Sequence, residues 1–310
     1  MDKEFLASKK LLVVGDCMLD RYWFGDANRI SPEAPVPVVR IVKSDDRLGG
    51  AANVALNIRS LGASVDLMSV VGNDEAGEKI EHLLKIDGIG SLLHIDKNLK
   101  TTVKLRILAR QQQLVRVDFE NHPANEVLAS LLGNFRNTVQ NYDAVVLSDY
   151  GKGGLDHITQ MIACAREANV PVLIDPKGTN YDRYSGATVI TPNRAELAQV
   201  VGDWNSEEEL TFKAQKLREH LKLKGLLLTR SEEGMTLYSE DDHFTIPTQA
   251  REVFDVSGAG DTVIAVTATM IAARVPVKEA VRIANRAGGI VVGKLGTATV
   301  SYNELFGENS

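Results

Sequence analysis

GAANVALNIRSLGASVDLMSVVG, Gly50 to Gly72, is the stretch on which the fold turns. Its first part spaces apolar residues at helical intervals and reads as a helix over 50–63, ended at Gly62. Its second part, VDLMSVVG, is an apolar run of strand length with hardly a polar break. A strand of that kind is buried on both faces, which is the condition of a parallel sheet covered by helices. The same alternation continues outward. LLVVG (11–15) reads as a strand before it, and a helix runs from Asp74 to about Lys85 after it. Further strands are expected at AVVLS (144–148), VPVLID (170–175), ATVIT (187–191) and GLLLT (225–229), with helices over 155–168 and 206–222 among those between them. The expectation is an α/β chain: a three-layer sandwich with a central, mostly parallel sheet and helices on both faces.

Two segments break the alternation. RYWFGDANRISPEAPVPVVRIVKSDDR (21–47) is rich in Pro and β-branched residues and has no helical period. KTTVKLRILARQQQLVRVDF (100–119) alternates polar and apolar residues on either side of a QQQ centre. Both read as antiparallel strands. Coming from separate parts of the chain, they form either a small β-sheet lid over the main sheet or ordinary edge strands of it. There is no internal repeat, low-complexity tract or linker, so 1–310 reads as a single domain carrying a lid.

Composition narrows the function class. Of 310 residues, 35 are Lys or Arg and 41 Asp or Glu, a net charge of −6 that argues against a general nucleic-acid binder. Cys17 and Cys164 sit in apolar contexts without CxxC spacing and read as reduced, buried thiols. The six histidines show no HExxH pairing, so no zinc site is expected. The start, MDKEFLASKK, has no apolar signal region, and no stretch is long enough to span a bilayer; a soluble cytoplasmic protein is expected.

The chemistry concentrates in DVSGAGDT, Asp255 to Thr262, directly before the small-residue apolar run VIAVTATMIAA. A helix N-terminus offers unpaired N–H groups and partial positive charge, and glycines let a ligand approach the backbone. Together they make an anion site suited to phosphate. Asp261 would repel an anion that merely bound there. It makes sense if the phosphate is under attack and Asp261 takes the proton of the attacking hydroxyl. Spacing alone leaves this level with an Asp that only stabilises a first helical turn. A dinucleotide GxGxxG fails because the sixth position is Val263 and the loop lies late in the chain. GGIVVGKL, Gly288 to Leu295, fails as a phosphate-binding GxxxxGK[ST] loop because it ends in Leu and sits in a helical pattern.

DVSGAGDTVIA resembles the C-terminal signature of the ribokinase-like (PfkB) carbohydrate kinases. RLGGAANVALNIRSLGA (47–63) resembles their N-terminal glycine-rich signature, TPNRAEL (191–197) their NxxE motif, and VVGDCMLD (13–20) their opening strand with acidic sugar ligands. The match covers essentially the whole chain. DRYWFGDANRISPEAPVPVV, LSDYGKGGL, VLIDPKGT, LLTRSEEGM and VVGKLGTATVS narrow the resemblance to the branch acting on heptose 7-phosphate, either as stand-alone kinases or as one part of bifunctional enzymes. The resemblance implies phosphoryl transfer from ATP, with Mg²⁺, to O1 of that sugar phosphate on the way to ADP-heptose. The alternatives within and beside the class are a kinase for fructose 6-phosphate or ribose, and a sugar sensor without catalysis.

On the resemblance, Asp261 is the general base, with Gly258, Ala259 and Gly260 supplying the anion hole. Asp16 matches the sugar-binding aspartate; Asp20 follows it as a second sugar ligand or a partner for Arg21 or another lid residue. Gly49, Gly50 and Asn53 face the sugar, the Asn amide both donating and accepting. Lys104, Arg106, Arg116 and Lys177 are the candidates for the substrate's far phosphate, with Lys177 alternatively on the ATP phosphates. Asn193 and Glu196 belong near the nucleotide phosphates, Glu196 reaching Mg²⁺ through water. Thr229, Arg230, Gly234 and Asn285 belong to the nucleotide side. Tyr22, Trp23 and Phe24 either close over the sugar or enter a homodimer interface between lids, the assembly the resemblance implies.

Overall fold

The structure is a computed structural model and describes residues 1–109, 112–240, 242–249, 253–294 and 296–307. In chain order the strands are β1 (Lys10–Gly15), β2 (Cys17–Ile30), β3 (Pro37–Gly50), β4 (Ser64–Gly72), β5 (Gly90–Asp96), β6 (Val103–Ala109), β7 (Gln112–Phe119), β8 (Ala144–Ser148), β9 (Val172–Asp175), β10 (Val189–Ile190), β11 (Gly225–Thr229), β12 (Met235–Ser239) and β13 (His243–Ile246). The α-helices are α1 (Lys3–Ala7), α2 (Ala51–Ser60), α3 (Glu75–Ile86), α4 (Asn125–Thr138), α5 (Ile158–Glu167), α6 (Arg194–Val201), α7 (Glu207–His220), α8 (Ala259–Ala272), α9 (Val277–Val291) and α10 (Tyr302–Phe306).

Nine strands form the central sheet in the order β13-β12-β11-β10-β9-β8-β1-β4-β5. All pairings are parallel except β11–β12 and β12–β13. Successive side chains of a strand point to opposite faces, and the two cores obey this. Leu11, Val13, Val65 and Leu67 pack on one side with α2, α8 and α9. Leu12, Val14, Met68 and Val70 pack on the other with α4, α5 and α7. The three expected layers are present. The small-residue run after Asp261 is explained by α8, in which nearly every residue from Asp261 to Ala272 is buried. Its interior threonines are satisfied by back-bonding, Thr267 to the Val263 carbonyl and Thr269 to the Ala265 carbonyl.

Helix starts follow the expected chemistry. Asp74 caps α3 by accepting from the Gly77 N–H, and Ser206 caps α7 from Glu209. The expected strand at 187–191 shrinks to Val189–Ile190, because Pro192 has no N–H to continue a ladder and Asn193 already caps α6. The strand expected from Val170 begins at Val172, after Pro171.

The second sheet is the lid, in the order β3-β2-β6-β7. Arg110 and Gln111, within the expected lid segment 100–119, lie outside the described residues. The lid strands extend further than expected. β2 starts at Cys17, one residue past β1, and β3 runs to Gly50, where α2 begins. The lid therefore joins the central sheet at Asp16 and at Gly49–Gly50. No helix of the described residues is long and apolar enough to cross a membrane.

Candidate active site

The carboxyl ends of β1, β8 and β9 meet the N-termini of α2 and α8 beneath the lid, the edge of a parallel sheet where ligands gather. Asp261 sits in the first turn of α8 and is 4% exposed. The hydroxyl of Tyr150 donates to its Oδ1 at 2.6 Å, and Asn53 Nδ2 donates to its Oδ2 at 2.7 Å. Burial pushes the Asp261 carboxyl up to about 6; the two donors and Lys104 pull it down, and Asp20 pushes it further up. The result is a carboxyl group that ionises just below neutral pH, the range that suits a general base. Gly258 caps α8 at φ +77°, a left-handed conformation. Ala259 spends its N–H on the Val256 carbonyl. The N–H groups of Gly258, Gly260 and Asp261 have no backbone acceptor among the described residues, so these three, rather than Ala259, are available to an anion.

The first helix of the glycine-rich stretch is locked to α8. Asn53 holds Asp261, and Thr262 Oγ1 donates to Asn57 Oδ1 at 2.9 Å. Asn53 is fully buried, and its amide is held between Asp261 and Asn57. Gly49 fits the expected close approach, though to protein: a Cβ there would stand 2.4 Å from Asp20 Oδ2. At Gly50 one would stand 2.4 Å from the Asp16 carbonyl.

Asp16 accepts backbone N–H bonds from Tyr150, Lys152 and Gly154 at 3.0, 2.9 and 2.9 Å; it anchors the loop after β8. Burial raises its carboxyl above the ordinary range although these three donors oppose the shift. Asp20 faces the site. Arg106 Nη1 donates to its Oδ1 at 2.5 Å, so the cation it pairs with is Arg106, while Arg21 pairs with Asp46 and Glu75.

Strand register sorts the lid cations. Asp20 stands opposite Lys104, Tyr22 opposite Arg106, and Arg106 opposite Arg116, which puts all five on the inner lid face. Lys104 lies 5.5 Å over the Tyr150 ring, and burial lowers its pKa. Arg116 is half-exposed and paired with Asp118. Tyr22 and Phe24 stack at 6.2 Å on the same inner face. Trp23 points the opposite way into an outer groove with Val39, Ile41, Ile107, Leu114 and Val115. The aromatic cluster thus serves both faces.

A cleft of about 400 Å³ lies on the other side of the α8 N-terminus, lined by Thr229, Gly234, Thr248, Gly260, Val263 and Asn285 among others. Asn285 Nδ2 donates to the Pro247 carbonyl, fixing the cleft wall. Arg230 does not join it. Its guanidinium is buried in ion pairs with Glu207 and Glu233 and a bond to Thr236. Asn193 and Glu196 form a capping box, the Asn193 side chain accepting from the Glu196 N–H and Glu196 Oε2 from the Asn193 N–H. That box fixes both side chains at the start of α6 and leaves Glu196 Oε1 outside it. Lys177 Nζ lies 3.0 Å from Glu196 Oε1, with Asp175 close by, so it stands beside β9 and α6 and not on the lid.

Tyr150 and Asp175 are the site residues that sequence reading left without a role. Asp175 ends β9 and Tyr150 lies two residues past the end of β8, and LSDYGKGGL and VLIDPKGT were the signals that contained them.

Residues 8–304 match the pfkB family carbohydrate kinase family. The chain is 53% identical over 99% of its length to the D-beta-D-heptose 7-phosphate kinase of Bordetella bronchiseptica, covering 98% of that protein. It is 54% identical over 96% of its length to the bifunctional protein HldE of Haemophilus influenzae, of which it spans 62%. Among solved structures, phosphofructokinase-2 from Escherichia coli superposes with a TM-score of 0.81 at 19% identity, with 96% of each chain covered. Arabidopsis thaliana ribokinase, complexed with ribose and ATP, superposes at 0.75 and 20% identity over 96% of this chain and 97% of that one. These two likenesses carry the fold; the match over 8–304 carries the family. The chain belongs to the pfkB family of carbohydrate kinases.

Proposed function

We propose that this kinase transfers the γ-phosphoryl group of ATP to O1 of D-glycero-β-D-manno-heptose 7-phosphate, giving the 1,7-bisphosphate on the route to ADP-heptose and the lipopolysaccharide core. The observation that carries the substrate is the 53% identity, over nearly the whole of both chains, to a relative named for heptose 7-phosphate. The chemistry rests on Asp261. Its carboxylate takes the proton of the acceptor hydroxyl as the new O–P bond forms and the bond from the γ-phosphorus to the bridging oxygen breaks, ADP leaving with that oxygen. The N–H groups of Gly258, Gly260 and Asp261 meet the charge on the transferring group at a helix N-terminus.

Mg²⁺ fits the donors present. Asp175 and Glu196 are hard oxygen ligands; burial, then the neighbouring Asp261 and Glu196, hold the Asp175 carboxyl well above its ordinary range, a site that a cation would relieve. No group of three or more metal-type ligands exists among the described residues, in keeping with an ion held mainly by water and nucleotide phosphates. When bound, it supplies charge neutralisation on the phosphates. Lys104 and Arg106 on the inner lid face suit the far phosphate of the substrate, with Arg116 at the rim. The outer lid groove suits a second copy of the chain, making a homodimer. Where its ATP is made, the cytoplasm, is where we place the enzyme.

The test is ADP release with ATP and Mg²⁺ against heptose 7-phosphate, fructose 6-phosphate, ribose and no acceptor. Turnover confined to heptose 7-phosphate is the expected result. Preferred turnover with another sugar overturns the substrate and leaves the kinase.

A further inference from the structure

Tyr150 stands at the junction of three parts of the site. Its hydroxyl donates to Asp261 Oδ1, so with Asn53 on Oδ2 each oxygen of the base carries one protein donor. Its backbone is tethered through Asp16, which accepts the N–H groups of Tyr150, Lys152 and Gly154. Its ring lies under the Lys104 ammonium of the lid and against the backbone of Gly50, where an added Cβ would come within 3.5 Å of the ring.

We infer that Tyr150 is a positioning residue for Asp261, and that Asp16 acts one step further back by holding the loop that carries Tyr150. The inference rests on the reading of Asp261 as the base. A hydrogen bond to a carboxylate favours the ionised form, and only that form can accept a proton. The same bond fixes which way the carboxylate faces, so the lone pair left on each oxygen is aimed and not free to rotate. Every group facing Asp261 enters this balance. Tyr150 from the loop after β8, Asn53 from α2 and Lys104 from β6 favour ionisation; Asp20 from β2 opposes it, and Asp175 at the end of β9 is coupled to Asp261 in the same unfavourable sense. Tyr150 itself stays a donor throughout the working range, because burial and the Asp261 charge hold its phenol well above the ordinary value.

The experiment compares pH profiles of kcat/KM for heptose 7-phosphate between pH 5 and 9 in the wild type, Tyr150→Phe and Asp261→Asn, with ATP affinity by calorimetry and thermal unfolding of each. For Tyr150→Phe the acid limb is expected to move up by roughly one pH unit or more, with ATP affinity unchanged. Replacing Tyr150 by 3-fluorotyrosine keeps the ring and strengthens the donor; the limb is expected to move the opposite way. This second variant decides the matter where the phenylalanine does not fold. An unmoved limb in either folded variant, with Asp261→Asn inactive, overturns the role of Tyr150 alone. Near-normal turnover of a folded Asp261→Asn overturns the base and the inference with it.

Discussion

At the scale of single residues, the site turns on a carboxylate buried where burial is unfavourable. Asp261 is pushed from an ordinary 3.8 up to about 6. As the base, it works ionised, so kcat/KM is expected to fall as pH drops through about 6; a pH profile flat from 8 to 5 would contradict this. Asp261→Asn is expected to lose roughly 10²–10⁴-fold in turnover, read by coupled ADP assay. Stability carries the opposite sign. The folded-state pKa lies above the unfolded one, so the unfolded chain ionises first and the folded state is penalised as pH rises through 3.8, fully so above 6. The penalty is on the order of 3 kcal/mol at most. Asp261→Asn should therefore melt a few degrees higher than wild type at pH 8 and level with it near pH 4; a lower melting temperature at pH 8 would count against the burial argument. Asp261 was legible in the sequence because its glycines and helix are its immediate neighbours. Tyr150 was not, since its partner is 111 positions away. The bond from Asn53 to Asp261 was hidden in the same way, across 208 positions. Asp16 and Asp20 look alike beside β1; only the return of the loop at 150–154 shows that Asp16 anchors it.

At the scale of elements, burial decides what a sequence discloses. β1, β4, β8 and β11 have almost every side chain covered, so their apolar runs announce them. β5 and β13 lie at the two edges of the sheet, with mixed burial, and their composition does not distinguish them from loop. The lid strands are legible by alternation over 100–119 and by Pro and β-branched content without a helical period over 21–47, yet their junctions with the central sheet are not, because Asp16 and Gly49–Gly50 join the sheets by backbone geometry. The β12–β13 hairpin walls the cleft beside the α8 N-terminus, which we propose takes the nucleotide, and Gly234 starts it at φ +90° with its Cα turned to the Ile246 carbonyl; a Cβ would stand 2.0 Å from that oxygen. Both atoms are backbone, so neither yields by a rotamer change. Gly234→Ala is expected to cost about 2 kcal/mol or more in urea unfolding, from positive φ and steric clash together. It should also weaken ATP binding more than acceptor binding, because Thr248 and Gly234 line the cleft. Unchanged stability and ATP affinity would mean that the hairpin tolerates re-registration.

At the scale of the whole molecule, the central sheet has its two faces covered and the lid has one. The inner lid face is charged and turned to the site; the outer face exposes Ile41, Leu114, Val115 and Val117 around the Trp23 groove. Apolar side chains gathered in this way on an otherwise charged protein mark a contact surface. A stable interface takes roughly 800 Å² from each partner, an extent that a four-stranded lid face can supply and an isolated apolar residue cannot. Two lids packed face to outer face would also stiffen the sheet that carries Asp20, Lys104 and Arg106. Sedimentation is therefore expected to give twice the 33.8 kDa of one chain at micromolar concentration. Val115→Asp places a charge on a side chain that is already 46% exposed in the single chain, so the fold of each subunit should survive while the pair dissociates. The dissociated variant should show a raised KM for the acceptor, whose proposed ligands lie on the lid, with ATP affinity close to wild type, since the cleft proposed for the nucleotide is built from β11, β12, α8 and α9. A wild-type chain that sediments as a monomer at those concentrations, or a monomeric variant with an unaltered acceptor KM, would separate the outer groove from assembly or assembly from the lid.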